Sequence, residues 1–511
     1  MTDIKLFKKI TAVLFTIVMI AAMFAACDET DDTQTMTTTT AATTSDDENL
    51  PTYEPDGTAR LSTDLPDYDW GGYNFKVLTH DFGGAPDLGI WSVRDIAAEE
   101  ETGDPINDAV YKRNRTLEKK YNFAVKQLFS DSVLRALRSS ISAGDNYFDA
   151  ASMSFKWSGL AAAAQEGLLV DLFDVQYLDF EKPWWDKDAV KNFSIGNRLF
   201  FASGDFRLVN RDSISMILFN KGLLADLELE NPYELVRGSR WTLSELYEMA
   251  GAAATDLDGN GGRLDLKTDR FGFVVGAVEF GLERGMGMRV ADKDADDLPF
   301  LVFENERNFN VMYAVRELTR ADFTWSVGGG GGVVHTGGDS MLSPSEIAFT
   351  EGRVLFMEST IRTIESLREF AVNFGILPMP WFDENQGRWF HSAGGIVGAG
   401  GIAVPAFQDY DAINRTGFML EAISAESRHT VIPAHYDVQL TGKFIRDDES
   451  SEMLDVIFNS VVWDLGLIYN WIGYDVWGAA GSGRLASVWE SNRNKIEYAV
   501  QETIEALAAL D

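Results

Sequence analysis

Tyr73-Asn-Phe-Lys-Val-Leu-Thr-His80, then Pro105–Tyr121, then Phe123-Ala-Val-Lys-Gln-Leu-Phe129 decide the fold class. Tyr73–His80 alternates apolar and polar residues, the two-residue period of a half-buried strand. Pro105–Tyr121 carries Val110, Leu117 and Tyr121 at helical spacing, with Pro105 near its start. Phe123–Phe129 alternates again. A helix is predicted near Ser132–Ser142 and a strand around Phe148–Phe155. Strand, helix, strand, helix, strand at this spacing predicts a parallel sheet covered by helices, an α/β protein.

Outward from that block the pattern continues. Ser213–Asn220 reads as a strand and Trp241–Ala254 as a helix opened by Thr242. Phe271–Val275 is strand-like, Phe374–Met379 resembles a strand ended by Pro380, and Ile396–Val404 reads as a Gly-rich strand pair. The last third is mostly helical and ends in an amphipathic stretch from Leu485 to Leu510. No internal repeat of about 20–50 residues is visible.

The N-terminus is different in kind. Lys5, Lys8 and Lys9 precede an apolar run, Ile10–Phe24, and then Ala25-Ala26-Cys27. This order reads as a secretory signal. The run is shorter than the roughly 20 apolar residues of a membrane-spanning helix. A lone cysteine after two alanines resembles the lipobox of bacterial lipoproteins, which makes 1–27 a lipoprotein signal peptide and Cys27 the lipid attachment residue. Residues 28–65 are rich in Thr and Asp and are expected to be a disordered tether between an anchored Cys27 and the folded body.

Composition narrows the function. The chain has 511 residues, one Cys and a net charge of −35. One Cys forbids an internal disulfide framework. The strong acidic balance argues against nucleic-acid binding, which needs a basic surface, and suits a monomer.

Motifs for catalysis are scarce. There is no HExxH, G-x-S-x-G or P-loop. The histidines at 80, 335, 391, 429 and 435 show no metal-ligand spacing. Gly398–Ala403 fits G-x-G-x-x-A, but Ile402-Ala403-Val404-Pro405 continues as extended chain where a dinucleotide site needs a helix. The five glycines 328–332 lack a preceding strand and a following Lys-Ser/Thr, and read as a surface loop. Asp256-Leu-Asp-Gly-Asn-Gly261 matches the first half of a calcium loop. Lys267 stands where the bidentate Glu belongs, so Asp256, Asp258, Asn260 and Asp265, with Asp269 nearby, form either a distorted structural Ca²⁺ site or a polar turn. No other cofactor is expected. Trp157, Trp184-Trp185, Trp241, Trp325, Trp381, Trp389, Trp463, Trp471, Trp477 and Tyr436 supply flat apolar faces. Indoles with a few carboxylates suit sugar rings, whose C–H faces are apolar and whose hydroxyls need partners.

Several segments together resemble the extracellular solute-binding lipoproteins of ABC importers, of the type grouped with the family 1 sugar-binding proteins of Gram-positive bacteria. They are Leu65–Tyr73, Pro105–Tyr111 with Glu118–Tyr121, Glu166–Leu172, Lys182–Trp185, Phe219–Lys221, Leu377–Pro380 and Val431–Ala434. The resemblance implies a two-lobed, periplasmic-binding-protein-like (type II) α/β fold with a hinge and an interlobe ligand cleft. Lobe one would hold 66–209 and 376–428, and lobe two 210–375 and 429–511. It further implies a non-enzymatic protein anchored on the outer face of the cell membrane, handing a sugar or oligosaccharide to a membrane permease. Carried over loosely, the cleft positions are Trp157 for stacking, Asp205 and Glu358 as hydroxyl acceptors, and Tyr436; Trp185, which like Trp157 sits near polar, loop-like sequence, is a second stacking candidate. The family's carbohydrate binders often have Gly-Pro-Trp near Glu358, where this chain has Ser359-Thr360-Ile361. A secreted glycan-degrading enzyme and a surface adhesion module are the competing classes.

Overall fold

The computed structural model describes residues 61–81, 93–156, 158–276, 281–326, 343–367, 370–393, 399–406, 409–440 and 448–510. Cys27, the signal peptide, most of the tether and Trp157 lie outside the described residues. Leu61 onward falls in one compact unit. The tether was expected to run through residue 65, but Lys182 Nζ holds the Asp64 carboxylate at 2.5 Å and the Ser62 carbonyl at 3.2 Å. Leu65 packs on the core. The folded body therefore begins slightly earlier than composition indicated.

The opening block forms as read. β1 (Tyr73–His80), α1 (Pro105–Tyr121), β2 (Phe123–Ser130), α2 (Val133–Ala143) and β3 (Ala150–Ser154) follow in order. Asp104 caps α1 by accepting the Asn107 N–H, Pro105 sits in its first turn, and Asn122 ends it in the left-handed region at φ 54°. Ser132 caps α2. β1 lies between β2 and β3, parallel to both, with Tyr73 opposite Phe123 and Val77 opposite Ala150. β3 is shorter than the expected 148–155, because the chain turns at Phe155.

A short helix, α3 (Leu208–Asp212), then carries the chain into a second sheet. Its strands are β4 (Ser215–Asn220), β5 (Phe271–Val275), β8 (Thr324–Ser326), β9 (Val354–Thr360) and β10 (Phe374–Leu377), in the order β10-β4-β9-β5-β8. β6 (Ala291–Lys293) and β7 (Pro299–Leu301) form a separate small ladder. Helix α4 (Leu243–Ala253), capped by Thr242 as expected, and α5 (Gly281–Gly285) lie within this part, and α6 (Ile361–Leu367) follows β9. The chain returns through β11 (Gly400–Ala403), which joins the first sheet antiparallel to β3, with Gly400 opposite Ser154. The Gly-rich segment is thus a strand and opens no helix. Its expected partner around 396 lies outside the described residues.

The α/β class and the division into two sheets hold. β10 belongs wholly to the second sheet, Ile376 pairing with Leu218, so the return falls after residue 377 and not at 376. Helix α7 (Tyr410–Leu440) packs along α1, while α8 (Asp448–Phe458) packs on β10. The C-terminal helix α9 (Leu485–Ala508) reaches back to the first-sheet side, where Gln165 Nε2 donates to Thr503 Oγ1 at 2.8 Å. One apolar cluster runs through both sheets, including Val77 and Ala150 as well as Phe219, Phe273 and Phe356. The two sheets share a core, because the C-terminal segments pack across both. No helix of the described residues is long and apolar enough to cross a membrane.

Candidate functional site

The two chain crossings meet at one place. Ile214, between α3 and β4, bridges Ala393 on the return segment, and its carbonyl accepts the Ile361 N–H at 3.0 Å. The carboxyl end of β9 and the first crossing therefore sit together, the position at which α/β sheets characteristically offer side chains to ligands.

Charged groups from distant segments converge there. Asp212, the last residue of α3, is 4% exposed. Its Oδ2 lies 3.2 Å from Arg94 and 3.3 Å from Arg362, and its Oδ1 lies 2.9 Å from His435 Nε2. Arg94 also grips Glu365 through two bonds of 3.2 and 3.0 Å. Burial opposes ionisation of Asp212, but His435 and the two guanidinium groups outweigh it and hold its carboxyl well below the usual range. At the other end of α3, Arg207 is 2% exposed, and burial pushes its guanidinium down to about 10. Arg207 is bound by Ser152 and by Asn210 Oδ1.

Two of the expected ligand residues, Trp185 and Asp205, line one cavity of about 320 Å³ beside α3. It is lined by residues of 183–188, 203–214 and Phe458–Trp463. Trp184 and Trp185 donate their indole N–H groups to Glu421, at 2.9 and 2.8 Å. Trp463 donates to Asp186 at 3.0 Å. With their polar edges satisfied, Trp185 and Trp463, 3% and 4% exposed, show the cavity only a small area of ring carbon. Asp205 is fixed by Arg211 at 3.0 Å and Arg428 at 3.1 Å. Gly204 lets this wall close, since a Cβ there would lie 2.5 Å from the Trp184 carbonyl oxygen. The cavity volume is within the roughly 300–1,000 Å³ of small-molecule sites.

The other expected residues lie elsewhere. Glu358 is buried near the end of β9, where burial first and Glu283 second raise its carboxyl well above the ordinary value. Its Oε2 has no hydrogen-bond partner. Glu283, on α5, is itself pushed up to about 7 by burial. Neither lines the cavity. Tyr436 is a staple between α7 and α8, its hydroxyl 2.9 Å from Ser451 Oγ and 3.1 Å from Asp455 Oδ1. In the candidate calcium loop, Asp256, Asp258 and Asp269 bring carboxylate oxygens within 4.8 Å of one another, so Asp269 takes the place expected of Asp265. Asp265 instead accepts the Lys267 N–H, and Asn260 bonds Asp258 and Gly262. Asp256 accepts from Gly259 and Gly261, and Asp269 from Leu257 and Asp265, so backbone groups already close the turn.

Sequence reasoning missed Asp212, Arg94, Arg362, Glu365, His435, Glu421 and Glu283. Only the Trp184-Trp185 pair carried a local signal, since two adjacent buried indoles require two acceptors.

Glu421 makes a pH prediction. Burial raises it to about 7, with Trp185, Asp179 and Trp184 as donors partly offsetting. A folded value above the ordinary 4.5 means the native state favours the protonated acid. Its contribution is therefore largest below about pH 4.5 and declines as the pH rises through about 7. The stability advantage of wild type over Glu421→Gln should shrink by about 3 kcal/mol across that window. Melting curves of both proteins from pH 4 to 8 check this, and a constant difference would refute it.

No family model matches this chain, and no curated protein does. Among solved structures it is similar to an ABC substrate-binding protein from Listeria monocytogenes in complex with cycloalternan, at 12% identity and a TM-score of 0.48, covering 85% of this chain and 98% of that one. It is also similar to the maltotriose-binding protein of Thermus thermophilus, at 16% identity and a TM-score of 0.45, covering 85% and 98%. A third is the apo form of RafE from Streptococcus pneumoniae, at 13% identity and a TM-score of 0.48, covering 86% and 98%. These are likenesses of chain trace at low identity.

Proposed function

We propose that this protein is a non-enzymatic solute-binding protein of an ABC importer, anchored through Cys27 to the outer face of the cell membrane, that captures a carbohydrate-like solute and presents it to a permease. The observation that carries the reading is the cavity at the chain crossing, which Trp185, Asp205 and Trp463 line together. Sugar C–H faces would lie on the indole carbons, and hydroxyls would donate to Asp205 and Asp186. Each carboxylate is already oriented by protein donors and keeps further lone pairs. A ligand that touches both lobes binds the closed arrangement better than an open one, and that difference in affinity is what closes a hinge.

Ligand-dependent stabilisation tests this. A bound sugar at about 100 times its Kd adds about 2.7 kcal/mol, a rise of several degrees in melting temperature. A panel of mono- and oligosaccharides, amino acids and peptides should single out one sugar class. An unchanged melting temperature throughout, with reducing sugar released from a polymer, would establish the secreted-enzyme alternative instead. The anchor has its own test: Cys27→Ala should move the protein from the membrane fraction to the medium, and retention on the membrane would refute lipid attachment. The calcium reading rests on Asp256, Asp258 and Asp269. Ca²⁺ should raise the melting temperature of wild type and not of Asp269→Asn, and equal behaviour of the two would end it.

A further inference from the structure

One helix holds two of the groups that line the cavity at the chain crossing. Glu421 lies on α7, is 0% exposed and does not line the cavity itself. Its Oε1 accepts the Trp184 indole N–H at 2.9 Å, and its Oε2 accepts the Trp185 indole N–H at 2.8 Å and the Asp179 backbone N–H at 3.3 Å. Arg428 stands about two helical turns further on, and so on the same face of α7. It donates to Asp205 and to the Pro183 carbonyl, both at 3.1 Å. The Trp185 ring also leans on Phe180 and Phe206, with centroids 5.0 and 5.8 Å away. Of these contacts the indole N–H bond is the directional one, and it fixes how the ring is turned.

We infer that Glu421 is a positioning residue for solute binding: its carboxylate, divided between two indoles, sets how Trp185 faces the cavity, and binding weakens when that carboxylate takes up a proton. This rests on the cavity being the solute site. The chemistry follows from the partners. Trp184, Trp185 and Asp179 all present N–H donors, which an ionised carboxylate accepts with its lone pairs. A protonated acid carries a donor of its own and meets no acceptor among those groups. One N–H bond must then give way, and the others lose the added strength of a charged acceptor. Burial pushes the carboxyl up to about 7, so the change falls near neutral pH. Around it stand Asp179, which raises it further, and Lys182, whose Nζ lies 5.9 Å from the Trp184 ring. Arg428 and Asp205 are bound to each other, and Asp205 also to Arg211. On α1, which packs along α7, Arg113 is held by Ser427 and the Ile96 carbonyl and is opposed by Asp95 and Glu426.

The first test needs no ligand. Tryptophan emission of the full-length wild type, followed from about pH 5 to pH 9, should shift with a midpoint near 7, and Glu421→Gln should remove that shift. A flat wild-type titration, or an unchanged shift in Glu421→Gln, overturns the hold of Glu421 on the indoles. The second test is calorimetric titration with maltose, maltotriose, cellobiose and cellotriose at about pH 6 and pH 8. For a sugar that binds, wild-type affinity should be about tenfold lower at pH 6, where about a tenth of the carboxyl is ionised. Glutamine has one acceptor oxygen and an amide nitrogen that only donates. Glu421→Gln, its fold checked by circular dichroism, should therefore bind at both pH values as weakly as wild type does at the lower one. Equal wild-type affinity at the two pH values, or wild-type affinity in Glu421→Gln at the higher one, overturns the positioning role and leaves the solute site standing. A titrating emission with no sugar bound overturns the solute reading and the role that rests on it.

Discussion

Asp212→Ala is expected to destabilise the protein by about 3–5 kcal/mol, the range for removing one partner of a buried ion pair. The loss arises from what stays behind. Arg94, Arg362 and His435 all aim at the Asp212 carboxylate, and with alanine in its place only Glu365 opposes the two guanidinium groups. These groups come from four separated segments, so their disorder would loosen the junction of the two sheets. The effect has a definite pH range. The folded carboxyl lies below its ordinary 3.8, so its contribution is complete above that value and is lost only as the pH falls toward the lowered one. Thermal unfolding at pH 7 checks the magnitude. Adding Arg362→Met should recover part of the loss, the non-additivity of residues in one network. A loss under about 1 kcal/mol would mean that the cluster behaves as a surface ion pair.

Gly400→Ala is expected to cost about 3 kcal/mol or more, at or beyond the upper end for overpacking. A Cβ at Gly400 would stand 1.9 Å from the Met153 carbonyl oxygen and 2.7 Å from Ser154 Cα, both backbone atoms of the neighbouring strand. No side chain can rotate away to relieve that, so β11 would have to leave β3. Its departure would also break the paired bonds of Asn210, which donates to the Gly400 carbonyl and accepts the Gly400 N–H, both at 3.0 Å. The control is Gly478→Ala in the helix Tyr474–Gly481, where nothing lies within 4 Å of the new Cβ. That change should stabilise by about 0.4–1 kcal/mol through the unfolded chain. Denaturant midpoints for both variants decide the point, and near-equal midpoints would contradict it.

The glycines around β11 mark the divide between what sequence encodes locally and what it does not. Gly398–Ala403 has the spacing of a nucleotide loop, yet the glycines of β11 serve close backbone approach within a sheet. The extended residues after them, Ile402-Ala403-Val404-Pro405, were what separated the two readings. The elements themselves were legible because periodicity and caps are local, as Asp104 with Pro105, Ser132 and Thr242 show. The candidate site joins distant segments, and little of it is local. Trp185 and Asp205 sit near each other in sequence and share a cavity wall. Arg94, Asp212, Arg362 and His435 are scattered over more than 300 residues of an acidic chain, and no spacing rule joins them. Asp205, Glu358 and Tyr436 come from the resemblance alone; Asp205 lines the cavity, and the fold uses the other two elsewhere, one as a buried acid beside Glu283, the other as a hydrogen-bonded staple.

The central claim is that a sugar is held between Trp185, Asp205 and Trp463 at the chain crossing. Calorimetric titration of wild type and Asp205→Asn with the sugar class selected by thermal shift tests it most directly. Wild type should bind one sugar per chain, and Asp205→Asn, still folded by circular dichroism, should bind at least about tenfold more weakly, the loss expected of a charged acceptor. Equal affinity in the two proteins would place the sugar somewhere other than this cavity.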